Sequence, residues 1–209
     1  MIALVMVMAD AAKLPVLLKS PISPTDYPRA AFRNNEQGSV LIDLLVKPDG
    51  SVERCEVIIS SKSKPLDSAT CIRFMRAKFR PSQDKSGTPV YGSIKKWASW
   101  SVGGPIGLPI SMDVVLTVNR LPADINKMPY SVVNVVLDSL GKVESCDLNI
   151  SSGIPSLDAA ACSLGIDSAS IKPITNSNGS IVRAVTTLNV GFSASNPQGL
   201  QWKPVGNGN

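Results

Sequence analysis

The chain has 209 residues, of which 44% are hydrophobic and 18% charged. It is long enough for one large domain or two small ones and too apolar for a disordered chain. It contains no histidine, which excludes Ser-His-Asp and Cys-His catalysis, His-ligated zinc or haem, and histidine pH switching. The net charge of +5 belongs to the first half: 15 Lys/Arg against 9 Asp/Glu in residues 1–104 give +6, and 6 against 7 in residues 105–209 give −1. The basic run Arg73, Arg76, Lys78 and Arg80 reads as a solvated helix face rather than a nucleic-acid surface.

In chain order, residues 1–9 (MIALVMVMA) are apolar over too short a run to cross a membrane, which takes about 20 residues. They resemble the apolar core of an export signal, and Ala9-Asp10-Ala11 supplies a small–x–small cleavage pattern, but no basic segment precedes them. Residues 27–34 (YPRAAFRN) predict a short helix with Pro near its start. Residues 40–46 and 52–59 predict two strands. Pro48-Asp49-Gly50 between them makes an antiparallel hairpin, Pro fixing φ and Gly taking a positive φ. A helix is expected from Leu66 to about Lys78, ended by Phe79-Arg80-Pro81, and a last strand over residues 88–97.

The pattern then recurs. A shift of 91 positions aligns Gly50 with Gly141, Cys55 with Cys146, Ser60-Ser61 with Ser151-Ser152, Leu66-Asp67 with Leu157-Asp158, and Cys71 with Cys162. The chain reads as two diverged copies of one strand–turn–strand–helix–strand unit. The second copy has strands over residues 132–137, 143–150 and 181–192 and a helix from Leu157 to about Ser168. Gly165 within that helix costs about 1 kcal/mol relative to Ala. Residues 112–118 predict a strand in place of the Tyr-Pro helix. The expected organisation is an export-signal-like segment and linker at 1–24, units at 25–101 and 106–193, and a flexible tail at 194–209 in which Trp202 could dock. The fold class is α+β, each unit a three-stranded antiparallel sheet with a helix on one face.

Each copy places one cysteine on its second strand and one on its helix. A helix laid on a sheet can bring such positions within disulfide reach. The recurrence of the spacing favours the pairs Cys55–Cys71 and Cys146–Cys162 over reduced core cysteines, and with them an oxidising compartment. Without a C-x-x-C, zinc is not expected, and nothing calls for a cofactor.

Tyr27-Pro28, Gly38-Ser39-Val40, Pro48-Asp49-Gly50-x-Val52, Ser60-Ser61, Leu66-Asp67, Phe79-Arg80-Pro81 and Gly87-x-Pro89-Val90 together resemble the C-terminal domain of TonB-family energy transducers over residues 25–100. The Cys55/Cys71 pair resembles a disulfide-bearing subset of that family, and residues 130–192 resemble the same domain more loosely. The resemblance implies a periplasmic module of the Gram-negative envelope. Such a module takes an extended peptide, the TonB box of an outer-membrane receptor, by adding it to the edge of the last strand. Here that strand carries Val90, Ser93, Ile94, Lys95, Lys96 and Trp97. Proline at Ile94 is then expected to abolish binding, and charge reversal at Lys95 and Lys96 to weaken it mildly. Lys95 and Lys96 read equally as edge protection, and Trp97 as core. A complete transducer also has a membrane helix, which couples to an inner-membrane proton-driven motor, and a Pro-rich spacer. Neither occurs in this sequence, so the motor is a partner only if an anchor exists upstream.

Two other classes compete. Ser61-Lys62-Ser63-Lys64 matches S-x-x-K and Lys85-Ser86-Gly87 resembles K-[ST]-G, but the serine falls in a short loop and the second copy lacks the lysine, so no enzyme is expected. A structural or envelope-assembly protein would use the same fold without receptor binding. Free last-strand edges favour peptide binding; last strands paired with each other favour assembly.

Overall fold

A computed structural model of the chain describes residues 11–195 apart from 105, 109, 110, 123, 124 and 126. The export-signal-like run at 1–9 and the tail from residue 196, with Trp202, lie outside the described residues. In chain order the elements are β1 (Val16–Leu17), a 3-10 turn (Pro24–Asp26), α1 (Arg29–Arg33), β2 (Gly38–Val46), β3 (Val52–Ile59), α2 (Lys64–Phe74), β4 (Phe79–Arg80), β5 (Ser82–Gln83), β6 (Pro89–Trp100), β7 (Val114–Val118), β8 (Tyr130–Leu137), β9 (Val143–Ile150), α3 (Pro155–Ala169) and β10 (Ala184–Ala194). The fold is α+β.

Both hairpins turn on a glycine at φ 78°, Gly50 and Gly141. A Cβ at Gly50 would stand 2.1 Å from the Phe79 carbonyl oxygen. The turn therefore needs glycine for its dihedral and for its neighbour alike. Both helices start two residues before the leucine, with Pro at the first turn, where its missing N–H costs nothing. Ser63 caps α2, its hydroxyl accepting from Leu66 N–H at 3.4 Å. α2 ends at Phe74, short of Lys78. α3 tolerates Gly165 because a Cβ there would meet Val190 Cγ2 at 2.9 Å, so glycine lets the helix lie close on β10.

Leu66, Thr70 and Phe74 bury one side of α2 against Val40, Ile42, Leu44, Val46, Ile94 and Trp100. The Trp100 indole N–H donates to Thr70 Oγ1 at 2.8 Å, and that hydroxyl donates to Leu66 C=O at 2.8 Å, so the polar atoms in this core are paired. Tyr27 stands edge-on to Trp100 with ring centroids 5.5 Å apart. In the second half Leu157 and Ala161 of α3 pack on Val133, Val135, Leu137, Leu188, Val190 and Phe192.

The two sets of three antiparallel strands do not stand apart as separate units. They join into one sheet in the order β3-β2-β6-β10-β8-β9, with β5 beside β6 and β7 beside β10. The join is parallel, Ala184 against Tyr91 and Val185 against Gly92. Gly92 alternates with Ile94 on the α2 face, whereas Val185 alternates with Leu188 and Val190 away from the α3 face. The two helices therefore cover opposite faces of one sheet. That is the consequence of joining like strands in parallel, because a half-turn about the strand direction exchanges the faces. The 91-residue echo extends to the backbone: bulges fall between Leu41 and Ile42 and between Leu45 and Val46 in one hairpin, and between Val132 and Val133 and between Val136 and Leu137 in the other.

The segment before β1 straps the join. Lys13 pairs with Gln83, N–H to C=O both ways at 2.8 and 2.9 Å, and Asn134 Nδ2 donates to Ala12 C=O at 2.9 Å. Ala12 and Leu14 pack with Val90, Val136 and Val185. Polar contacts bind the halves further: Lys85 to Asp147 at 2.8 Å, Arg183 to Asp84 at 3.3 Å, and Arg54 Nη1 to Thr175 C=O at 2.8 Å.

The Ser-Ser loops are built alike. Ser60 and Ser61 donate to the Asp67 carboxylate, and Ser151 and Ser152 to that of Asp158. The left-handed residue between loop and helix is Lys62 at φ 69° in the first half and Gly153 at φ 84° in the second. Partial burial pushes the Asp158 carboxyl up. The hydrogen bonds from Ser151, Ser152 and Ser131 outweigh it and hold the group at about 2, below its usual 3.8. A depressed folded-state pKa gives stabilisation that is complete above the unfolded value and lost as pH falls through the folded one. Stability should therefore decline between about pH 4 and pH 2. Asp158→Asn should lower the melting temperature at neutral pH and flatten that acid limb, as a pH series of thermal melts would read.

Candidate peptide-binding edge

β6 is held on one side by an uninterrupted antiparallel register to β2, from Val46 against Gly92 to Gly38 against Trp100. On its other side β10 pairs only with Tyr91 and Gly92, then turns away to pair with β7 from Val190 onward. The direction of the backbone groups follows from alternation. Asp113 N–H donates to Asn189 C=O at 2.9 Å, so odd residues of β10 face the β6 and β7 side. Through the Val185–Gly92 register, the odd residues of β6 then face outward. Beyond the join, Lys95, Trp97 and Ser99 present N–H and C=O groups to an edge where no strand pairs among the described residues.

The six residues expected on this edge divide into three groups. Val90 and Ile94 are buried; Val90 pairs with Ser82, and Ile94 lies in the α2 core. Ile94 N–H points at β2, so proline there breaks the sheet rather than the edge, which corrects its use as a probe. Ser93 Oγ donates to Asp43 at 2.9 Å, and Lys95 forms an ion pair with Asp113. Burial pushes the Asp43 carboxyl up, against the opposing Ser93 hydrogen bond and Lys95 charge. Lys96 and Trp97 are half-buried, Trp97 opposite Leu41.

Asp113 is the residue the sequence did not mark. Its carboxylate takes Lys95 with one oxygen and Asn189 N–H with the other at 2.9 Å. It thereby ties the edge to β10 where the two strands part. Lys95 is thus engaged within the chain rather than free to guard the edge. An isolated Asp before a Val-rich strand carries no signal of that role; only the meeting of β6 and β10 reveals it.

The four cysteines lie as paired by spacing. Cys55–Cys71 and Cys146–Cys162 are both bonded, with Cα atoms 5.6 and 5.9 Å apart. Ser61, the serine of the S-x-x-K match, is a loop hydroxyl committed to Asp67 at 2.7 Å. Among the described residues no group of three or more potential ligands could hold a metal ion, and no helix is long and apolar enough to cross a membrane.

The first half is a ββαβ unit whose last strand turns backbone groups outward beyond the join. Residues 23–99 match the family model described as Gram-negative bacterial TonB protein C-terminal. That family is a non-enzymatic, transport-associated periplasmic domain whose members interact with outer-membrane receptors. The match runs from the 3-10 turn to the penultimate residue of β6. No curated protein matches the chain.

Proposed function

We propose that this chain is a periplasmic TonB-like binding protein in which residues 25–101 and 106–193 are diverged copies of one unit. It engages an extended peptide of an outer-membrane receptor or other envelope partner, in support of energy-dependent transport. The peptide adds as a strand along residues 93–100 of β6. The observation that carries this reading is the outward N–H and C=O groups of Lys95, Trp97 and Ser99, which have no strand beside them among the described residues. Backbone pairing over such a stretch supplies affinity, and alternate side chains supply limited specificity.

The last strand of the second copy takes the start of the same edge at Tyr91 and Gly92. That pairing favours a second reading, in which the two copies serve envelope assembly and no receptor peptide binds. Ser99→Pro separates the two. It removes one outward N–H from an exposed edge residue whose hydroxyl makes only a 3.5 Å contact with Ser39, at a position where proline is tolerated. Calorimetric titration with a synthetic TonB-box peptide should show binding by the parent chain and by Ser99→Ala, and at least about tenfold weaker binding by Ser99→Pro, the cost of one backbone pairing. A folded Ser99→Pro chain that binds the peptide as the parent does refutes strand addition at β6. A parent chain that binds none leaves the assembly reading.

A further inference from the structure

The ends of the joined sheet are β3 and β9. In the β2–β6 ladder the even residues of β2 face β6, so Asp43 and Leu45 face β3 and bond its Glu56 and Arg54. The N–H and C=O groups of Cys55 and Val57 then point outward, with no strand beside them among the described residues, while the bulge opposite Leu45 turns the Glu53 N–H toward β2. Natural edges are guarded by proline, lysine or a covering element. β3 contains neither residue, and its end exposes Val57 and Ile58, 39% and 49% accessible. Met75 follows Cys71 by one helical turn, on the side of α2 that the disulfide fastens to β3. It is also exposed.

We propose that β3 pairs antiparallel with β3 of a second copy of this chain, about a two-fold axis at Cys55. The occupant is set by charge. In this register Cys55 pairs with Cys55 through hydrogen bonds, and the closer, non-hydrogen-bonded pairs on either side set Arg54 of each copy against Glu56 of the other. Two-fold symmetry makes that opposite-charge contact twice. Glu56 is exposed and pairs with Arg54 within the strand at 3.0 Å, and Arg54, which also donates to Thr175 C=O, keeps part of its guanidinium accessible. The axis stands perpendicular to the sheet, so both α2 helices lie on one face of the paired sheets. β9 offers no such match. The same register there sets Ser145 against Asp147 and Glu144 against Leu148, with no opposite-charge contact.

Sedimentation equilibrium of the full chain, from nanomolar to submillimolar concentration, tests this. The parent chain should self-associate as a dimer. Glu56→Arg, on an exposed side chain that no second-half residue bonds, sets Arg against Arg twice and should weaken the dimer by about tenfold or more. Arg54→Glu should do the same, and an equimolar mixture of the two variants should recover dimer, because each then meets its opposite. Val57→Pro removes an outward N–H and should also dissociate it. A parent chain monomeric throughout overturns the proposal, as does a dimer that survives both Glu56→Arg and Val57→Pro. Protection of the β3 amides by a TonB-box peptide without any dimer also overturns it, assigning this edge to a receptor instead.

Discussion

Phe192→Ala is expected to destabilise the chain by about 3–5 kcal/mol, the range for emptying a fully packed aromatic site. Phe192 is wholly buried, among the side chains of α3, β8 and β10. The informative part is where the loss is felt. Two independent units would unfold separately, and the first would keep its stability. Here β10 is shared, since it pairs with β8 on one side and with β6 on the other. The strap at Ala12 binds both halves, and Lys85–Asp147 and Arg183–Asp84 cross the join. Hydrogen exchange read by mass spectrometry should therefore report faster opening in β2 as well as in β8, within one unfolding transition. Unchanged protection of β2 would mean that the join is a weak contact between separate domains.

The local elements were legible because their signals are local. Gly50 and Gly141 mark turns that need positive φ, and the 91-residue echo marks both hairpins, both helices and both cysteine pairs. Boundaries moved where a cap or a packing contact decides. α2 begins at Lys64 because Ser63 caps it, and α3 runs through Gly165 because β10 comes too close for a side chain. The join of β6 to β10 could not be read: a parallel pairing between residues 91 and 184 has no turn or period to announce it. The candidate edge expected on the last strand of the first copy has its first part taken by β10 and one of its lysines bound by Asp113. Both differences come from that same distant pairing.

Serine at both Cys55 and Cys71 is expected to lower stability by about 3 kcal/mol, the loop-closure value for a bridge of this span. Serine at Cys146 and Cys162 should act similarly, since both bridges span 16 residues. The effects should nevertheless differ in place. β3 and β9 are the outermost strands, each held by one neighbouring strand and by its helix through the bridge. Losing Cys55–Cys71 should loosen β3 first, and losing Cys146–Cys162 should loosen β9. Urea unfolding of the two double variants, with exchange mapped along the chain, reads both magnitude and place. A loss below about 1 kcal/mol would show that packing of α2 and α3 alone fastens the edges. A full loss would explain why a fold with bare edges carries one cross-link at each. The bridge would then hold the edge strand in register when nothing pairs with it.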